Sequence, residues 1–514
     1  MKSLTTIFSV VLAVVQSQQT FNNPVLWEDL ADIDVFRVDD VYYYSASTMH
    51  YSPGAPILQS LDLVNWEFVG HSVPTLDFLD NPAYDLTDGR AYVEGIWASF
   101  LRYRSSNGLF YWGGCIQFTH TYIYTSPSPT GPWQQSSMID TCYYDAGLLI
   151  DDTDTMYVSF GSTNISVAKL SPDGLSEVSS QIVYNSTVGY IEGSRMYQIN
   201  GIYYIIVTQP SATEYVLKSS GGPFGPYEIG DLVSFTATPV SGAGYPHQGG
   251  LVDTPDGDWY YMSFVDAYPG GRIPVLAPMT FDANGWPAVD LIDGAWATSY
   301  AMPTDPQVLA SPTGIDSFSG TSLGPQWEWN HNPDTTKFSV NNGLTLQTAT
   351  VTTDLYSARN TLTHRILGPN STATIKVDYS SMVDGDQAGL ALFRDSSAWI
   401  GIVRDAGVYS VVVLDDITMD ESWNTATFGT EVARAGGLPC CQIWLRVYAD
   451  IAPDGTHQGI FSYSVDGDDF VEIGGAFDMI TNWTFFMGYR FGIFNHATIS
   501  LGGSVFVEQF EISQ

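Results

Sequence analysis

The chain has 514 residues, 44% of them hydrophobic, 14% charged and 14% aromatic, and its 55 acidic side chains against 18 basic ones leave a net charge of −37. That length exceeds what one core usually serves, so two domains are expected, and the composition is globular rather than disordered. So acidic a chain repels polyanions, which excludes nucleic acid as a partner and places no obstacle before a neutral polysaccharide.

Residues 1–17 read as a secretory signal peptide: Lys2, an apolar run from Ile7 to Val15, and a small-residue cleavage site at Val15-Gln16-Ser17. The run is too short to span a bilayer. A secreted, extracellular protein that does not enter the membrane is therefore expected, and the sequons at Asn164, Asn185, Asn370 and Asn482 are compatible with that.

From about residue 20 to 300 one pattern occurs five times: a polar or aromatic opener, a short apolar run, a turn, then an aromatic strand. The openers are Asp32, Trp97, Asp145, Glu192 and His247. Turn signals such as Asn107-Gly108, Asn200-Gly201 and Asp256-Gly257 separate the strands. Five copies of about 56 residues each predict an all-β, five-bladed β-propeller with four strands per blade. In a propeller the equivalent ends of the inner strands meet at one axis, so Asp32, Asp145 and Glu192 are expected to converge. Cys115 and Cys142 could pair beside Asp145 in an oxidising compartment, and the adjacent Cys440 and Cys441 are either a vicinal disulfide or buried thiols.

Residues 301–314, rich in Pro, Ser and Thr, read as a linker. From 315 to 514 the blade pattern stops but alternating strands continue, for example Ala373-TIKVDY and Gln442-IWLRVYADI, which predicts two packed antiparallel sheets, a concanavalin-like β-sandwich.

Three carboxylates at one repeat phase suit cleavage of a glycosidic bond, which needs one carboxyl to protonate the leaving oxygen and one carboxylate to activate water or attack. Glu192, longer and followed by Gly193, is the candidate general acid. Asp145, ionised nearby, raises the pKa of that acid and orients it, and Asp32 is the base. Arg272, one of few cations, reads either as a fork onto sugar hydroxyls or as a structural ion pair. Trp97 is either an apolar wall for a sugar ring or core. Tyr144 should point away from Asp145 in a regular strand and reaches substrate only where the strand start is bent. His247 is placed with the substrate-binding residues near the axis. The Asp-rich turns at Asp384-Gly-Asp386 and Asp466-Gly-Asp468-Asp469 are turn chemistry with room for a structural Ca²⁺. No organic cofactor and no catalytic metal is expected.

The segments Asn23-PVL, Ala31-Asp32-Ile33-Asp34-Val35, Ser52-PGAPI, Asp62-LVNWEFVGH, Gly95-IWA, Tyr144-Asp145-Ala146, Glu192-Gly193, His247-QGG and Gly271-Arg272 together resemble glycoside hydrolase family 43. The resemblance implies a five-bladed propeller, Asp32 as general base, Asp145 as the residue that tunes and orients the acid, Glu192 as general acid, and inversion by a single displacement with water. It departs at Ile33, where most members carry Pro after the base. Details such as Met49-His50-Tyr51-SPGAP and Ala267-YPGGR look most like fungal arabinoxylan-debranching α-L-arabinofuranosidases. The expected substrate is then arabinoxylan or a xylo-oligosaccharide, and the expected state a monomer. A β-1,4-xylosidase is the alternative. A sugar-binding propeller without activity is a further one, which the presence of all three carboxylates opposes.

Overall fold

Five four-stranded antiparallel sheets follow one another between Asp34 and Val289 in the computed structural model, which describes residues 19–438 and 441–514. The expected signal peptide at 1–17 and Cys440 lie outside the described residues. Each sheet runs in chain order from an inner to an outer strand. The inner strands are Asp34–Val38, Ser99–Arg104, Gly147–Ile150, Glu192–Ile199 and His247–Asp253. Each lies beside the next, and the fifth lies beside the first, which closes a five-bladed propeller.

The ring holds because its inner strands are apolar and closely spaced. A side chain at Gly147 would meet the Ser194 carbonyl of the next blade at 2.6 Å, so glycine is the residue that lets blades 3 and 4 approach there. Aromatic and branched side chains fill the gaps between blades, among them Tyr44, Tyr261 and Trp296 in one cluster and Trp112, Tyr122 and Tyr124 in another. The axis is polar. Arg195, fully buried, donates to the carbonyls of Asp32, Ile33 and Ala146 at 2.8–2.9 Å, strapping together the inner ends of blades 1, 3 and 4. The ends of the ring are clasped by Thr20–Asn22, which pairs with Ser299–Ala301, and by Asn23, whose side chain bonds both the N–H and the carbonyl of Leu276.

From Gly314 onward two antiparallel sheets of nine and eight strands pack face to face over one apolar core. The eight-stranded sheet borrows its last strand: Tyr51–Ser52, from a connection in the first blade, pairs with Trp329–Asn330. A shared cluster (Met49, Tyr51 and Tyr92 against Tyr356, Phe393 and Phe485) continues the core across the junction. Beside it the buried Glu328 carboxylate meets Arg365 at 3.1 Å, Arg490 at 2.5 Å and His71 at 3.1 Å. Burial works against the charge of Glu328, but the two arginines outweigh it and hold its carboxyl far below the usual range. Two large domains thus meet over both apolar and ionic contacts, and the sandwich reaches the mouth of the propeller.

Candidate active site

At that mouth lies a cavity of about 430 Å³ whose wall includes Asp32, Trp97, Phe118, Tyr144, Asp145, Glu192, Gln248, Arg272, Trp483 and Phe486. Its size suits one small ligand. The three carboxylates, drawn from blades 1, 3 and 4, converge on it.

Asp32 and Asp145 each sit two residues ahead of their inner strand in left-handed backbone, with φ of 59° and 52°. That conformation turns the side chain off the strand and into the mouth, and it is costly enough in a non-glycine residue to need fixing by its surroundings. The fixing is visible. The Asp32 carbonyl accepts from Arg195, and Arg272 Nη1 donates to Asp32 Oδ1 at 2.9 Å. The Asp145 carbonyl accepts from Ser194 N–H at 2.9 Å. Asp145 Oδ2 accepts from Gly193 N–H at 2.9 Å and Oδ1 from the Gln248 amide at 3.0 Å.

Glu192 is half-buried, and its Oε2 accepts from Tyr144 at 2.6 Å and from Tyr190 at 2.7 Å. The bend at Asp145 brings Tyr144 round to the cavity side, the case in which it can touch a ligand. Burial, then the Asp145 and Glu192 charges, push the Tyr144 hydroxyl far above the usual phenol range, so it remains a proton donor. Burial first, and the neighbouring Glu192 carboxylate second, push Asp145 well above the usual carboxylate range, while Arg195 and the Gly193 N–H act the other way.

Arg272 is nearly fully buried. Its backbone N–H donates to Asp29 at 2.8 Å, its Nε to the Phe486 carbonyl at 3.1 Å, and its guanidinium lies 5.3 Å from the Phe264 ring centre. It is an ion pair to Asp32 and a cavity wall at once. Trp97 also serves both readings, lining the cavity and meeting Phe486 edge-on at 4.9 Å. Cys115 and Cys142 form a disulfide, and Cys115 lies in the cavity wall.

His247 is not brought to that wall. Its Nδ1 donates to the Tyr245 carbonyl at 2.9 Å and its ring is buried against Phe264. Among the described residues no group of three or more His, Cys, Asp or Glu is placed to hold a metal ion. The Asp384 carboxylate accepts from Gly407 N–H and meets Arg404, and Asp466 accepts from the N–H groups of Asp468 and Asp469.

Several wall residues escaped the sequence reading. Trp483 and Phe486 come from the loop 482–488 of the sandwich, which Asp29 anchors by accepting from Gly488 N–H at 2.9 Å. Phe118, in a hairpin turn of blade 2, and Tyr190, in the connection between blades 3 and 4, are exposed aromatic rings, a residue type that signals a surface role. Gln248 lies within the His247-QGG segment, one residue after the repeat opener.

Comparison with known proteins gives the same picture. Residues 21–287 match the family model described as glycosyl hydrolases family 43, and residues 315–513 that of the β-xylosidase C-terminal concanavalin A-like domain. A β-xylosidase of Formosa agariphila is 27% identical, covering 96% of this chain and 90% of that protein. A non-reducing-end α-L-arabinofuranosidase of Bacteroides ovatus is 28% identical over 74% of each. A solved structure, described as a GH43 glycoside hydrolase whose active site was engineered to display both endo-xylanase and exo-arabinofuranosidase activity, superposes with a TM-score of 0.93. It is 49% identical and covers 96% of this chain and 100% of its own.

Proposed function

The chain belongs to glycosyl hydrolase family 43, and from that premise we propose that it releases α-L-arabinofuranosyl side chains from arabinoxylan by a single inverting displacement. Water bound to Asp32 attacks the anomeric carbon, Arg272 aims that carboxylate by donating to its Oδ1, and Glu192 delivers a proton to the departing oxygen. Asp145, tied at both oxygens, fixes the backbone at Gly193 and so orients the neighbouring Glu192. The observation that carries this reading is the convergence of Asp32, Asp145 and Glu192 on one cavity, each with separate hydrogen-bond donors.

The choice of arabinose is supported by the 49% identical relative, whose engineered form is described as displaying exo-arabinofuranosidase activity together with endo-xylanase activity. A second reading, an exo-acting β-1,4-xylosidase, is favoured by the Formosa agariphila relative. The sugar set free when the purified protein meets wheat arabinoxylan and linear xylo-oligomers separates them. Arabinose from the former and nothing from the latter supports the first reading, and xylose from the oligomers with no arabinose supports the second. We also propose that the protein acts outside the cell, which the Cys115–Cys142 disulfide favours.

A further inference from the structure

Gln248 donates one amide hydrogen bond to Asp145, and the rest of its side chain lines the same cavity. We infer that Gln248 is a further residue of the reaction, holding Asp145 through its amide N–H and presenting its amide oxygen to a hydroxyl of the bound sugar, and that Glu214 beneath it fixes the backbone that makes this possible. The inference rests on the hydrolase reading above and adds to it a substrate contact and its support.

Three observations carry it. The first is direction. The carboxylate Oδ1 of Asp145 can only accept, so the Gln248 nitrogen must face it, which turns the Gln248 oxygen the other way. That oxygen makes no hydrogen bond to any described residue, although Gln248 is only 7% exposed, and the space it borders is the cavity. A nearly buried amide oxygen with no protein partner beside a sugar-sized space is suited to a ligand hydroxyl.

The second is backbone conformation. Gln248 has φ of 46°, in the left-handed region. This rotation sends Gln248 rather than His247 into the mouth. A non-glycine residue stays there only when its neighbours enforce it. The third is that enforcement. Glu214, fully buried in the adjacent blade, accepts from Gln248 N–H through Oε2 at 2.8 Å. A buried carboxyl group that bonds the backbone of a cavity-wall residue marks a local demand that packing alone does not make.

The groups that face Asp145 are Glu192 and the Gly193 N–H from blade 4, Arg195 at the axis, Asp32 from blade 1, and Gln248 from blade 5. Gln248 is the uncharged side-chain donor on Oδ1. Its amide favours the ionised form of Asp145, so its loss raises the proton affinity of Asp145.

The test compares wild type with Gln248→Leu, Glu214→Ala and Glu214→Gln, using 4-nitrophenyl α-L-arabinofuranoside and 4-nitrophenyl β-D-xyloside. For each, kcat, KM, the pH profile of kcat/KM and the melting temperature are measured. Expected for Gln248→Leu are a kcat/KM lower by roughly 10–100-fold, with part of the loss in KM, and the limb belonging to Asp145 moved to higher pH. Glu214→Ala should reproduce both changes, and Glu214→Gln, which keeps an oxygen for the Gln248 N–H, should restore them to near wild type. A Gln248→Leu enzyme with wild-type KM and an unmoved pH profile overturns the inference, whether its kcat/KM is unchanged or falls only in step with melting temperature. A wild type inactive on both glycosides would instead sink the hydrolase reading, and this inference with it.

Discussion

Tyr144 donates its hydroxyl proton to Glu192 at 2.6 Å from a position 48 residues earlier in the chain. The contact crosses from blade 3 to blade 4 and makes Glu192 the acceptor of two phenols, since Tyr190 donates to the same oxygen. Oε1 of Glu192 makes no hydrogen bond to any described residue, and Glu192 lines the cavity. A carboxyl group so held has one oxygen for orientation and one for proton transfer.

Tyr144→Phe therefore removes one of two orienting donors while leaving the ring in the cavity wall. The expected result is a drop in kcat of about 10-fold with KM little changed, in keeping with the usual size of an acid–base positioning effect. Steady-state kinetics on an aryl glycoside check this. An unchanged kcat would mean that Tyr190 alone positions the acid.

The sandwich should be needed for activity as well as for stability. Its loop supplies Phe486, whose carbonyl accepts from both Arg272 and Tyr268, and Asp29 ties that loop to the base's arginine. Asp29→Ala leaves the N–H groups of Arg272 and Gly488 without partners and is expected to cost roughly 2–4 kcal/mol. Chemical denaturation measures that cost. Phe486→Ala keeps those backbone bonds and removes the ring that lines the cavity and meets Trp97. It should raise KM several-fold with a smaller loss of stability than Asp29→Ala, and a KM equal to wild type would show that the ring does not meet the substrate.

Stability should fall on the alkaline side because of two buried acids. Burial pushes Glu28 up to about 7 and Glu214 up to about 8. In the unfolded chain both release their protons near the ordinary value, so the stability they contribute is full below about pH 4.5 and is lost as pH rises through about 7 and about 8. Four buried imidazoles act in the opposite sense at lower pH. Burial holds His331 down to about 3, His364 and His496 down to about 4, and His50 well below its ordinary value, so stability falls as pH drops below about 6.5. Melting temperature against pH should be a dome. Glu214→Gln, which has no proton to lose, should flatten its alkaline arm by an amount on the order of a few kcal/mol. An arm that keeps its slope in that variant would remove Glu214 as the cause.

Glu328 gives the acid-side counterpart. Its carboxyl is ionised against Arg365 and Arg490, so its contribution is present above about 4.5 and is lost as pH falls. Removing the charge strands two buried guanidinium groups, and Glu328→Gln is expected to cost roughly 3–5 kcal/mol, measured by urea denaturation at pH 7. A cost below about 1 kcal/mol would show that the arginines find other partners.

The propeller and its carboxylates were legible because the repeat has a phase. Once five strand–turn–strand units are aligned, their openers must share one end of the ring, and Asp32, Asp145 and Glu192 do reach one cavity. The phase fails where the backbone is left-handed. At Asp145 it turns Tyr144 to the face that regular alternation denies it, and at Gln248 it puts the neighbour of the aligned His247 into the wall. No local pattern announces a positive φ in Asp or Gln. Phe486 and Trp483 were invisible for another reason: they come from a loop of the second domain, more than 200 residues beyond Arg272, and no periodicity relates them to the blades. Arg195 carried no signal because a buried axial arginine reads, in sequence, like any charge in a strand.

The claim on which all of this depends is that Asp32 directs water, rather than a covalent attack, onto the anomeric carbon while Glu192 gives up its proton. Proton NMR of the first product formed from 4-nitrophenyl α-L-arabinofuranoside reads this directly, before the released sugar equilibrates. The account predicts that the β-anomer appears first and the α-anomer only later by mutarotation. An α-anomer at the earliest time points would mean two displacements through a glycosyl–enzyme, and would contradict it.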